Sequence, residues 1–313
     1  MNRRQFFGRG IAGCAAISMA CASKESAETE SIPRRVLGRT GEKLSIIGFG
    51  GIVVRDVEQA VANDYVARAY DRGVNYYDVA PTYGDAQDRL GPALKPYRQN
   101  CFLACKTTQR DRSGAEKELY ESLEKLQTDH FDLYQLHAIS KREDVKKAFG
   151  PDGAMEVFLK AREQGLVRYL GFSAHSEEAA LLAMEMFDFD TTLFPINFVC
   201  WHKGHFGPAV VDKARERNMG ILALKALAFS RVPQGEEPPY DKCWYFPNEN
   251  EELQGLALRF TLGQFATAAV PPGEPKFFWR ALDLAGRVTA LNNEEQDRLT
   301  GATADAEPIF TGA

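Results

Sequence analysis

Three short apolar runs of this 313-residue chain end in ionisable residues: Tyr76-Tyr77-Asp78, Cys105-Lys106 and Leu136-His137. Tyr83 follows Asp78 in the stretch Asp78-Val79-Ala80-Pro81-Thr82-Tyr83-Gly84. Together these four types suit proton delivery to a carbonyl oxygen. A tyrosine, with an ordinary pKa of about 10, is a useful acid at neutral pH only if that value is lowered, and a neighbouring ammonium lowers it. Lys106 would supply the charge, and Asp78 would keep Lys106 protonated and in place. His137 would donate a hydrogen bond that orients the carbonyl. Singly each residue has an ordinary explanation, as a helix cap, an exposed strand end, a packed loop ring or a core histidine. The case rests on all four falling at successive strand ends.

Those positions matter because the chain alternates short apolar runs with amphipathic stretches, the pattern of a parallel sheet covered by helices. Strands are predicted at Ile46–Phe49, Val74–Tyr77, Cys101–Cys105, Phe131–Leu136, Val167–Gly171, Thr191–Ile196, Gly220–Leu224 and Ala268–Val270. Helical spacing marks Val57–Asp71, Gly114–Leu126, Met155–Gln164, Glu177–Phe187, Pro208–Arg217 and Glu251–Leu262. Eight such units predict a closed α/β fold, the (β/α)8 TIM barrel, preceded by a β-hairpin over Arg35–Ser45 with its turn near Thr40-Gly41. In that fold chemistry gathers at the C-terminal ends of the strands, where these residues stand.

Composition narrows the partners. With 44% hydrophobic and 26% charged residues and a net charge of -5, the chain is ordinary globular protein without the basic stripe that nucleic acid requires. Its first residues differ from the rest. Arg3-Arg4-Gln5-Phe6-Phe7 precedes a small-residue apolar run, Gly10 to Ala22, too short to span a bilayer, and resembles a twin-arginine export signal. The domains read as a signal over 1–22, a polar linker over 23–33, a barrel over 34–305 and a tail over 306–313. Export places the protein in the periplasm or on a membrane outside the cytoplasm. Cys14 and Cys21 are the two positions where a lipid anchor would attach. Cys101 and Cys105, four apart on one strand and so about 13 Å apart, cannot bridge each other and read as small buried hydrophobes.

The catalytic stretch resembles the aldo-keto reductase superfamily. The resemblance is carried by Val36-Leu37-Gly38-Arg39-Thr40-Gly41, Ile47-Gly48-Phe49-Gly50-Gly51, Gly73 to Asp78, Tyr83-Gly84, Lys106, Asp132 to His137, and Gly165 to Ser173. It implies a hydride transfer between a nicotinamide cofactor, NADP with NAD as the alternative, and a small-molecule carbonyl or alcohol. It also implies a catalytic tetrad of Asp78, Tyr83, Lys106 and His137, with Gly51, Asp78, Ser173 and Asn197 near the cofactor. The chain departs from the family where Ala174-His175 follow Ser173 and where Val270-Pro271-Pro272-Gly273-Glu274-Pro275-Lys276 replaces the usual late loop. Lys276 and Arg280, near a helix start, are candidates for the cofactor's phosphate. Lys225 ends the seventh strand as a further cofactor or substrate contact, and Trp201 and His202 could wall a substrate pocket. The long stretch Phe229 to Asn250 is placed to close over the site. Two other readings stay open, a Schiff-base aldolase and a non-enzymatic nicotinamide-binding regulatory barrel. Substrate identity and oligomeric state are not legible.

Overall fold

The computed structural model describes residues 32–312; the twin-arginine segment, Cys14, Cys21 and most of the linker lie outside them. A hairpin of β1 (Arg34–Val36) and β2 (Lys43–Ser45) comes first, paired with Arg34 opposite Ser45. Its turn needs Gly38, which has φ +47°, and whose added Cβ would lie 2.3 Å from the Gly220 nitrogen. Leu37 and Leu44 on this hairpin are buried and belong to the cluster that fills the barrel interior, so the hairpin plugs one mouth.

The barrel strands are β3 (Phe49–Gly50), β4 (Tyr76–Asp78), β5 (Phe102–Thr107), β6 (Phe131–Ile139), β7 (Val167–Ala174), β8 (Thr191–Pro195), β9 (Gly220–Leu224) and, after two strands of another hairpin, β12 (Ala268–Val270). They pair in parallel in chain order from β3 to β9 and then β12. The ring is closed by a parallel bridge from Ile47 to Ala269, where Gly48 N–H donates to Ala269 O at 2.9 Å. The intervening hairpin, β10 (Ala228–Arg231) and β11 (Tyr245–Pro247), stands outside the ring.

Helices cover the outside: α1 (Gln59–Asp71), α2 (Ala86–Leu94), α3 (Arg112–Lys125), α4 (Arg142–Phe149), α5 (Ala154–Glu163), α6 (Glu177–Met186), α7 (Phe198–His202), α8 (Pro208–Glu216), α9 (Glu251–Gly263), α10 (Pro275–Ala285) and α11 (Asn293–Ala302). Capping side chains fix several starts; Asp111 accepts from Gly114 N–H at 2.9 Å, and Asn292 and Glu295 form a reciprocal box at α11. The predicted (β/α)8 barrel with its hairpin is what folds. The differences are local. Helix α2 escapes the periodicity because it contains Gly91 and Pro92, yet Gly91 is required there, since a Cβ would meet Lys125 O at 2.4 Å. Residues 306–312, set apart in the sequence as a tail, pack back on the barrel, with Ala306 and Pro308 buried and Phe310 stacked on His175.

Candidate active site

Strand periodicity alone aims the key side chains inward. Residues two apart on a strand share a face. Tyr76, Phe102, Ala104 and Leu133 fill the barrel interior, so Asp78, Lys106, Gln135 and His137 continue the same inward rows towards the C-terminal mouth. Tyr77, Leu103 and Cys105 alternate outward into the layer beneath the helices. A bulge in β6 between Leu136 and Ile139 turns His137 out over the opening, with Ala138 at φ +52°. The bulge is held by Ala138 N–H donating to Ser173 Oγ at 2.8 Å and by Arg110 donating to His137 O at 2.6 Å. Tyr83 arrives on the loop after β4, in a turn closed by its own N–H to Ala80 O at 3.1 Å.

At the centre Lys106, fully buried, forms an ion pair with Asp78. Its Nζ also donates to Val79 O at 3.3 Å and to the Tyr83 hydroxyl at 3.4 Å. The other Asp78 oxygen accepts from the Tyr76 hydroxyl at 3.3 Å and from Gln135 Nε2 at 3.1 Å. Burial opposes the Lys106 charge, but Asp78 and the Tyr83 oxygen outweigh it, and the ammonium is held above its ordinary value. Tyr83 contradicts the sequence expectation of a lowered pKa. Burial raises its hydroxyl first of all, Lys106 pulls it down, Asp78 pushes it up again, and the net shift is upward. The ring keeps some exposure while its hydroxyl is crowded inside. His137 meets the Tyr83 ring edge-on at 5.7 Å, and burial, followed by the charge of Lys106, pushes its pKa well below the ordinary range. It is therefore a neutral imidazole. Its Nδ1 lies 3.5 Å from the Thr82 hydroxyl.

Asp78, Tyr83 and His137 line a cavity of about 280 Å³, together with Gly50, His175, Lys225 and residues of the long segment between β9 and α9. That segment crosses the mouth as a strap, as the sequence suggested. Lys242 Nζ donates to Val53 O at 3.0 Å, Lys242 N–H to Glu274 at 3.2 Å, and Arg55 to Asp241 O at 2.8 Å. Trp244 and Tyr245 from the strap form one wall. His175, stacked on Phe310, forms part of another; burial and then Lys225 pull its pKa down to about 4.

The other sequence candidates fall in different places. Gly51 is packing space, since a Cβ would meet Val79 at 2.6 Å. Ser173 keeps its hydroxyl proton to donate while its oxygen accepts from Ala138. Asn197 is fully occupied: its Oδ1 caps α7 by accepting from Val199 and Cys200, and its Nδ2 donates to the carbonyls of Lys225 and Ala228. Trp201 and His202 are a correction to the expected substrate wall. They sit on α7 against Phe260 of α9, around a separate hollow near α11, because α7 turns its aromatic face away from the mouth. Lys276 pairs with Glu249 and the Tyr240 hydroxyl, and Arg280 with Gln254 and Glu251, at the α10 N-terminus. Sequence reasoning missed Gln135 and Tyr76 as partners of Asp78, although each lies two positions before a candidate on the same strand and the alternation could have found it. It also missed Trp244 and Tyr245, which lie on a stretch without periodicity. Cys101, Cys105, Cys200 and Cys243 are buried and unbridged, and burial pushes Cys101 up to about 12 and Cys105 to about 11.

Comparison with known proteins bears on family and fold. The family model described as "Aldo/keto reductase family" matches residues 46–268. The chain is 28% identical over 321 residues to L-galactose dehydrogenase of Arabidopsis thaliana, covering 89% of this chain and 95% of that protein. The match to the uncharacterized oxidoreductase YqkF of Bacillus subtilis, also 28% identical, is shorter, spanning 45% of this chain and 48% of that one. The holo form of the aldo-keto reductase AKR11C1 from Bacillus halodurans superimposes with a TM-score of 0.69 at 20% identity, covering 89% of this chain and 98% of that structure. The chain belongs to the aldo/keto reductase family, a class of NAD(P)-dependent oxidoreductases that reduce carbonyl groups.

Proposed function

We propose that Tyr83 is the proton donor of a reductase that moves a hydride between NADP(H) and a small carbonyl or alcohol. The observation that carries this is the buried ammonium of Lys106 held between Asp78 and the Tyr83 hydroxyl, 3.4 Å from the latter, with neutral His137 beside it. When bound, the nicotinamide cofactor supplies the hydride. The chain's residues do the rest. A ring N–H of neutral His137 orients the carbonyl oxygen, and Tyr83 gives it a proton as negative charge develops there. A raised Tyr83 pKa keeps the phenol loaded with its proton at neutral pH, which suits reduction. Lys106, by drawing that value down, limits how weak an acid the buried phenol becomes and steadies the phenolate left behind. The Schiff-base alternative loses support, because an ammonium locked to Asp78 and raised in pKa is a poor nucleophile.

Residues suited to the cofactor are unevenly distributed. Ser173 has one free donor for the carboxamide end, while Asn197 has none left. Lys276 and Arg280 lie in the first turns of α10, where backbone N–H groups and the helix dipole favour anions. Their present ion pairs are largely exposed, worth about 0–1 kcal/mol each, which a phosphate contacting both would exceed. This supports NADP over NAD. The Arg3-Arg4 motif supports export of the folded protein, with Cys14 or Cys21 as the lipid attachment point. A cofactor carried out in this way has to remain bound, and either a second substrate or a redox partner has to reset it.

Tyr83→Phe tests the central reading. It should lower kcat by about 100-fold or more while NADPH affinity, measured by fluorescence titration, changes little. Turnover equal to that of the parent would sink the assignment.

A further inference from the structure

Proton delivery leaves one cation of the cavity without a task. Lys225 directly follows β9 and lines the same 280 Å³ cavity as Tyr83 and His137. Its Nζ lies 4.9 Å from the ring centre of Trp244 and 4.7 Å from that of Tyr245. Among the described residues no carboxylate comes within ion-pair distance of it, and its ammonium makes no hydrogen bond. The other cations of the site are engaged, Lys106 by Asp78 and Lys242 by Val53 O. His137 and His175 are held neutral and offer no competing charge.

The backbone is arranged to present this side chain. Lys225 has φ +68°, a left-handed conformation that non-glycine residues rarely adopt. Asn197 holds it there, donating to Lys225 O at 3.1 Å and Ala228 O at 2.5 Å. An unfavourable conformation that the surrounding structure maintains at a cavity wall is a mark of function. The two aromatic faces attract the cation but accept none of its protons conventionally, so its three N–H donors remain for a ligand. Burial draws its pKa down to about 8, so that most of it is still charged at neutral pH.

We propose that Lys225 is the receptor for a carboxylate carried by the substrate, so that the preferred substrates are small aldehydes, ketones or alcohols bearing an acid group. The proposal rests on the reading of this cavity as the reductase site: the carbonyl lies at Tyr83 and His137, and the anion at Lys225, which lines the same cavity. In a desolvated cavity a charge-assisted hydrogen bond to an oxyanion is stronger than a neutral one. The aromatic faces of Trp244 and Tyr245 flank the space for the carbon skeleton.

The test compares the full-length protein with Lys225→Met and Lys225→Arg on two matched pairs, 4-carboxybenzaldehyde with its methyl ester and succinic semialdehyde with butanal. The parent should prefer the acid of at least one pair by about 10- to 100-fold in kcat/KM, the worth of one hydrogen bond to a charged group. Lys225→Met should bring the acid-to-neutral ratio of kcat/KM towards one, mainly through KM of the acid, and Lys225→Arg should keep most of the preference. Benzoate binding, followed by intrinsic tryptophan fluorescence without turnover, should weaken in Lys225→Met and survive in Lys225→Arg. Turnover without acid preference, together with benzoate binding indifferent to position 225, overturns the proposal and leaves the reductase standing. Lys225-dependent benzoate binding with no turnover on any aldehyde keeps the anion receptor and sinks the reductase reading. If Lys225→Met instead weakens NADPH binding and leaves both pairs otherwise unchanged, the anion belongs to the cofactor and the substrate proposal falls.

Discussion

Replacing Lys106 with methionine separates what the buried ion pair does for stability from what it does for chemistry. The substitution keeps the bulk of the side chain but leaves Asp78, only 2% exposed, as a lone carboxylate. Breaking a buried pair in this way costs about 3–5 kcal/mol. Asp78 keeps its hydrogen bonds from Tyr76 and Gln135, at 3.3 and 3.1 Å, which places the cost at the low end, about 3 kcal/mol. At roughly 2–4 °C per kcal/mol for a large single domain, Tm should drop by about 6–12 °C in a calorimetric scan. Activity should fall much further, by about 100-fold or more, because Tyr83 loses the Lys106 charge that draws its pKa down. The double variant Asp78→Asn, Lys106→Met removes both charges. It should regain at least half of the lost Tm and none of the lost turnover. Linkage adds a second readout. Lys106 has a folded pKa raised above 10.5, so its contribution to stability is complete below that pH and is lost as pH rises through the raised value. Tm of the parent should therefore decline on the alkaline side in a way the Met variant does not share. A Lys106→Met protein with parental Tm and turnover, or a double variant whose activity returns with its stability, would refute the assigned roles.

Other consequences can be checked separately. His137 and His175 have folded pKa values below 6.5, that of His175 about 4, so the unfolded chain binds protons that the folded one does not; stability should fall as pH drops from 6.5 towards 4, and His175→Gln should blunt the fall in a series of thermal melts. Arg55→Ala frees one anchor of the strap at Asp241 O and should speed NADPH release in stopped-flow displacement, whereas an unchanged off-rate would mean that the strap does not gate the cofactor. Gly38→Ala forces a side chain at φ +47° into the Gly220 backbone, and its urea midpoint should show a loss of about 1–3 kcal/mol with kcat of the surviving folded enzyme unchanged. Removing both cations in Lys276→Ala, Arg280→Ala should weaken NADPH binding more than NADH binding, and equal weakening would show that the α10 start does not read the phosphate.

The legible part of this protein is the part in which local periodicity and global architecture obey the same rule. The barrel could be read because its strands are buried on both faces, leaving continuous apolar runs that stop where chemistry starts. Asp78, Lys106 and His137 stood out as charged or polar ends to those runs, and Tyr83 by its loop five residues on. Their spacing does not encode the balance of solvation. Tyr83 lies 3.4 Å from an ammonium, yet its pKa rises, because desolvation and Asp78 together outweigh that single charge. Nor does spacing reveal which polar groups are already used. Asn197 matched a cofactor position in sequence, but its amide is fully engaged in capping α7 and holding the backbone of Lys225. The strap is the third case. Its path depends on tertiary anchors such as Lys242 on Val53 O, between residues far apart in the chain, so no local pattern announces that Trp244 and Tyr245 will face the tetrad. The candidate residues on regular strands, Asp78, Lys106 and His137, could therefore be read from those strands. Lys225 could be read as a strand-end cation, but its aromatic neighbours Trp244 and Tyr245 depend on the irregular segment and emerge only once the chain is folded.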